Sequence, residues 1–352
     1  MSVLNIQLAE GWEEIPPPGR GPSLMIESEG ELSLYRNDFT LEHKFGPVGP
    51  VDCPLAYDAQ ASLVFRYISA PRIGRRDFSQ IRAYDVKMGT SELIAELPLN
   101  QWVLWLLEWI RGGPSEGGRL FGLVATDDTS SDMVVLKHQL FLMKPFDGIA
   151  TKRPLCRDAY APIAFSLQRR RILFVGAEGI YTVGLNGERH AELALTDRAI
   201  GRGAAFSPNS SDEVLIGGSG LRLWNYKTGE CRKLTQQGQY PCWSKDGRGI
   251  WFSESSADLL YYDIESRETT RVLQVARNHD KEYSLARPIR ISPDGRYLGV
   301  QLSGKRMKGI SRNSIMGARE RVYEQSQAFF VLDLKTSELW RHEGFVTQFL
   351  WI

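Results

Sequence analysis

The sequence predicts an all-β fold: a seven-bladed β-propeller of four-stranded antiparallel sheets, closed by pairing of the C-terminal strand with N-terminal strands. Three observations predict it. A unit of apolar strand end, tight polar turn and second apolar strand recurs as Phe206-Ser-Pro-Asn-Ser-Ser-Asp-Glu-Val-Leu-Ile216, Trp243-Ser-Lys-Asp-Gly-Arg-Gly-Ile-Trp-Phe252 and Ile291-Ser-Pro-Asp-Gly-Arg-Tyr-Leu-Gly-Val300. A second strand–turn–strand motif follows each copy, clearest in 221–230, 260–268 and 330–338. The apolar residue ending each first strand then recurs at intervals of 37 to 60 residues, at Tyr57, Trp109, Phe165, Phe206, Trp243, Ile291 and Trp351. Two linked hairpins make one four-stranded blade, and blades at such intervals make a ring.

The elements follow in chain order. Blade 1 is composite: its inner strand is the tail 344–352, and its outer strands come from 24–27, 31–36 and 40–45. Such a closure removes the sheet edges that an open array would expose. The Pro-rich stretch from Ile15 to Pro22 lacks strand character, so 1–22 is read as a strap outside a single domain spanning 1–352. Blade 2 opens at Tyr57 and carries the hairpin Ile81 to Thr90. In blade 3, Trp102, Trp105 and Trp109 have helical spacing, but the blade count assigns them to a buried inner strand. Blade 4 keeps its strands around 165–175 without the turn signature, followed by a hairpin at 180–188. Blades 5, 6 and 7 open at Phe206, Trp243 and Ile291, and Pro, Gly and Asp supply their turn geometry.

On these motifs the chain resembles the TolB-type, WD40-like (PD40) propeller repeats, most strongly over residues 200–340 and continuously from about residue 50. The resemblance implies the propeller and no particular activity. The chain contains no Trp-Asp dipeptide and no Gly-His, so it departs from the standard WD40 pattern.

Composition narrows the classes. With 43 basic and 42 acidic side chains the formal net charge is +1, which excludes a globally basic nucleic-acid binder. No apolar run has the roughly 18 residues of a membrane helix, and the N-terminus lacks the pattern of a secretory signal. Cys53, Cys156, Cys231 and Cys242 form no C-x-x-C pair and read as reduced thiols of a cytoplasmic protein. There is no G-x-S-x-G, H-E-x-x-H or G-x-x-x-x-G-K-[ST] motif, and the blades are expected to use the whole chain, leaving no separate hydrolase domain. His43, His138, His190, His279 and His342 fall on different blades. The acidic run after Thr126 lacks the Gly and Glu of a calcium loop, because Asp132 and His138 stand there instead. No cofactor and no metal are expected.

The charge is uneven, however. Two long excursions join second and third strands: Ser69 to Phe78 in blade 2 and Gly304 to Arg321 in blade 7. The first carries Arg72, Arg75 and Arg76; the second carries Lys305, Arg306, Lys308, Arg312, Arg319 and Arg321. Their joint net charge is +7, they emerge on one face, and Arg202 and Arg287 add to it from connections between blades. A basic surface of this kind steers an acidic partner, and arginine grips carboxylates in pairs of bonds. Ile310, Ile315 and Met316 supply apolar groups beside it. The expected function is therefore non-enzymatic protein binding through this face, with a toxin-neutralising immunity protein as one form of it. Two alternatives stand beside it. One is a polysaccharide lyase or hydrolase using Asp52, Asp158, Tyr240 or Arg287 at the central mouth; the other is a binder of anionic polymer.

Overall fold

The computed structural model describes residues 4, 6–19, 21–28, 30–47, 55–58, 61–72, 75–97, 101–110, 119–126, 138–144, 148–149, 156–159, 161–166, 171–176, 179–184, 188–194, 203–254, 258–275, 281–284, 289–312, 319–344 and 346–352. These residues contain strands and no helix, and so no helix long and apolar enough to cross a membrane. The strands form seven sheets. Every predicted first-strand residue, from Tyr57 to Trp351, lies on the first strand of its own sheet. The tryptophan-rich segment of blade 3 is the strand Gln101–Ile110, not a helix.

Turn chemistry explains where the strands stop. In blade 6, Ser244 Oγ donates to Asp246 at 2.6 Å, and the Asp246 carboxylate accepts the Arg248 amide at 3.0 Å. Gly247 takes φ 69° between them. Blade 7 repeats the device with Ser292, Asp294 and Gly295, whose φ is 80°. The second turn of blades 2, 5, 6 and 7 is closed by an Asp or Asn at the end of the third strand. Asp85, Asn225 and Asp263 each accept two backbone amides from the residues two and three positions on. In blade 7, Asp333 accepts the Lys335 amide and a bidentate grip from Arg296. Burial pushes the Asp333 carboxyl up, but Arg296 and the backbone amides outweigh it and hold it below the usual range.

The core lies between blades. One apolar cluster joins Leu215 and Leu223 of blade 5 to Trp243, Ile250 and Phe252 of blade 6. Others join blades 4 and 5, 6 and 7, 7 and 1, and 1 and 2. Strands in such a stack are covered on both faces, which is why Gly249–Ser253 and Gly179–Gly184 are buried throughout rather than alternating.

The ring closes as predicted. The tail strand Gln348–Trp351 pairs antiparallel with Leu24–Ser28, with Leu24 opposite Trp351 and Glu27 opposite Gln348. Glu31–Tyr35 and Leu41–Pro47 complete that sheet. Successive inner strands lie side by side from blade 2 to blade 7. Trp351 Nε1 then donates to the Arg290 carbonyl of blade 7 at 3.3 Å, and Leu350 and Ile352 pack on the cluster shared with blade 2. Within the N-terminal segment, Ile6–Leu8 adds an antiparallel strand to the outer edge of blade 6, and Glu13–Glu14 pairs in parallel with the outer strand of blade 7. Arg341 fixes this segment through Glu14 and the Leu4 carbonyl.

Candidate functional site

The two basic excursions are not loops. They are extensions of the strands that flank them. In blade 2, Leu63–Arg72 and Arg75–Asp85 stay paired up to Arg72 opposite Arg75. In blade 7, Tyr297–Arg312 and Arg319–Asp333 stay paired up to Arg312 opposite Arg319. The reason is that antiparallel neighbours offer each backbone amide and carbonyl a partner, so the ladder runs on until a turn stops it. Arg202, Arg287, Ile315 and Met316 lie outside the described residues.

The blade 7 hairpin outruns its sheet. On one side Glu338–Glu343 accompanies it only from Asp333 to Ala328; on the other, Lys281–Ser284 accompanies it only as far as Arg306. Beyond that point, among the described residues, Met307 to Arg312 pair with nothing but the returning strand. Six residues of extended chain reach about 20 Å.

Register sorts the charges. Strand alternation places Lys305, Arg312, Arg319 and Arg321 in one set of the ladder, together with Met307, Ile310 and Tyr323. Glu320 and Glu324 fall in the other set, with Arg306. Lys308 occupies the bulge between Met307 and Gly309, and Asp77 the one between Phe78 and Arg76 in blade 2. In the ladder Arg72 stands opposite Arg75 and Arg312 opposite Arg319.

The residues expected at the central mouth fare differently. Asp52 and Arg287 lie outside the described residues. Asp158 is on Cys156–Ala159, which pairs with the third strand of blade 3 and is therefore an outer strand, remote from the mouth. Tyr240 is on the inner strand of blade 6, at φ 52°, but packs against the cluster between blades 6 and 7. The expected carboxylate site is thus not assembled by Asp158 and Tyr240: one lies on the periphery and the other is held between blades. His43, His138, His190 and His342 sit in four different sheets, and His279 lies outside the described residues. The run after Thr126 does as well. No group of three potential metal ligands gathers among the described residues. Cys231 and Cys242 are free thiols, both raised in pKa by burial, Cys242 to about 11.

One residue at the mouth escaped the sequence reading: Arg290, between Ile289 and Ile291 on the inner strand of blade 7. A charge inside so short an apolar strand was the available signal. Its Nη1 donates to the Phe349 carbonyl and its Nη2 to Gln348 Oε1, each at 3.1 Å, and its guanidinium carbon stands 5.9 Å from the centre of the Phe349 ring.

No family model matches the chain, and no curated protein matches it. Among solved structures it is similar to one described as dihydro-heme d1 dehydrogenase NirN in complex with DHE, at TM-score 0.57 and 13% identity over 96% of this chain and 76% of that one. That likeness is one of fold, and it agrees with the propeller assembled above from strand pairing.

Proposed function

We propose that this propeller is a binding protein, with repeats of the TolB-like type, whose blade 7 hairpin engages an acidic face of a protein partner. The observation that supports this reading is the ladder register. It collects Lys305, Arg312, Arg319 and Arg321 beside Met307, Ile310 and Tyr323, while both glutamates of the hairpin fall in the opposite set. A two-stranded ribbon is poorly stable by itself. An anionic partner complements its cations, and the paired N–H groups of arginine suit carboxylates. The blade 2 hairpin, ending in Arg72 and Arg75, is the second basic element, and only blade 1 separates the two around the ring. An acidic toxin held by an immunity protein is one member of this partner class.

The test compares affinity capture by the wild type, by the variant Lys305→Ser/Arg312→Ser/Arg319→Ser/Arg321→Ser, and by the control Arg306→Ser. The expected result is a protein recovered by wild type and control and lost by the fourfold variant. Equal recovery by all three overturns the assignment. Recovery that disappears on nuclease treatment of the extract replaces the protein partner with a nucleic acid.

A further inference from the structure

The inner strands of blades 1, 2, 5, 6 and 7 line an open cavity of about 650 Å³. Its walls are Tyr57 of blade 2, Phe206 of blade 5, Trp243 of blade 6 and Trp351 of blade 1, and Arg290 of blade 7 lies among them. It extends along Ala205 to Pro208, Pro241 to Lys245 and Ile289 to Pro293, and so runs into the first turns of blades 5, 6 and 7. Antiparallel alternation puts those turns at the opposite end of the blades from the basic hairpins. The site is therefore separate from the proposed partner face.

Its electrostatics are one-sided. Among the described lining residues there are two cations, Arg290 and, at the exposed rim, Lys245, and no Asp or Glu. Among the described residues, Arg290 bonds only to neutral acceptors, a backbone carbonyl and an amide oxygen. Burial depresses its pKa, and the Cys242 thiol beside it, held up at about 11, is neutral at pH 7 and supplies no counter-charge. A guanidinium has five N–H donors, and a charge removed from water is costly unless an opposite charge compensates it. The volume lies within the range of small-molecule sites, and aromatic walls with a few polar groups are their usual lining.

We propose that this cavity binds a small organic carboxylate, with Arg290 holding the carboxylate group and Trp243, Trp351, Phe206 and Tyr57 covering a flat apolar body. Arg290 carries the selectivity for charge, and Lys245 at the rim adds attraction on entry. The apolar walls distinguish such a ligand from free phosphate, which would leave them wet.

The probes are 2-naphthoate, its uncharged counterpart 2-naphthamide and inorganic phosphate, each titrated into the full-length protein and followed by calorimetry and by quenching of the tryptophan emission. Naphthoate is expected to bind tighter than naphthamide by about ten- to a hundred-fold, the range for one hydrogen-bonded charge. Arg290→Met is expected to abolish that difference and Arg290→Lys to keep part of it. Because Arg290 also ties blade 7 to blade 1, circular dichroism checks each variant. Should Arg290→Met fail to fold, the wild-type comparison and Arg290→Lys still decide. The proposal is overturned if the wild type binds naphthoate no better than naphthamide, or binds phosphate alone. It also falls if a folded Arg290→Met variant keeps the preference. None of these outcomes bears on capture by the blade 7 hairpin.

Discussion

Arg66 and Glu27 are the most completely buried ion pair described, at 0% and 2% side-chain exposure, with Nη2 2.6 Å from the carboxylate. Glu27 belongs to blade 1 and Arg66 to the second strand of blade 2, so the pair ties the composite blade to its neighbour. Removing one partner takes from the other its buried counter-charge. Arg66→Met or Glu27→Gln should each cost about 3–5 kcal/mol, read from the midpoint of urea unfolding. The double variant Arg66→Met/Glu27→Leu should recover most of that loss. Single variants as stable as wild type would mean that water reaches the pair.

At the level of elements, the repeated turn is also a joint between blades. Asn209 of the blade 5 turn donates through Nδ2 to the Asp246 carbonyl of the blade 6 turn, at 2.6 Å. A Cβ on Gly247 would come within 2.3 Å of Asn209, and one on Gly295 within 2.6 Å of Lys245. Each glycine thus admits the preceding blade's turn as well as taking a positive φ. Gly247→Ala is expected to destabilise by more than about 1 kcal/mol, because it joins a strained φ to a collision. Gly229, also at positive φ but with open space around it, is the comparison site: Gly229→Ala carries only the backbone strain and should shift the thermal midpoint less. Equal shifts at both glycines would remove the contact between turns from the explanation. The Ser-x-Asp-Gly pattern was readable in the sequence because it depends on neighbours two to five positions apart, as in Ser244, Asp246 and Gly249. The blade 2 and blade 7 hairpins were not. Gly304 to Arg321 contains five Gly and Ser residues and many charges, which read as a loop until a facing strand satisfies its backbone.

For the whole molecule, closure is the decisive contact. Trp351 is 4% exposed, packs in the cluster between blades 7 and 1, and bonds to the Arg290 carbonyl. Trp243 repeats that bond two joints earlier, donating to the Ala205 carbonyl of blade 5 at 3.0 Å. Trp351→Ala should lower stability by about 3–5 kcal/mol, measured by denaturant unfolding. Loosening the ring at its seam should also speed proteolysis of the N-terminal strands it holds. An unchanged midpoint would show that the rest of the ring holds without the seam.

The inner-strand positions, the turn types and the composite first blade follow from local chemistry and periodicity, and they were present in the order of residues from Leu24 to Trp351. The register of the blade 7 ladder, the removal of Asp158 and Tyr240 from the mouth, and the placing of Arg290 among the aromatic walls emerged with the assembled ring. Each of these depends on which distant strand lies alongside, and one step of register moves every side chain of a strand to its other face.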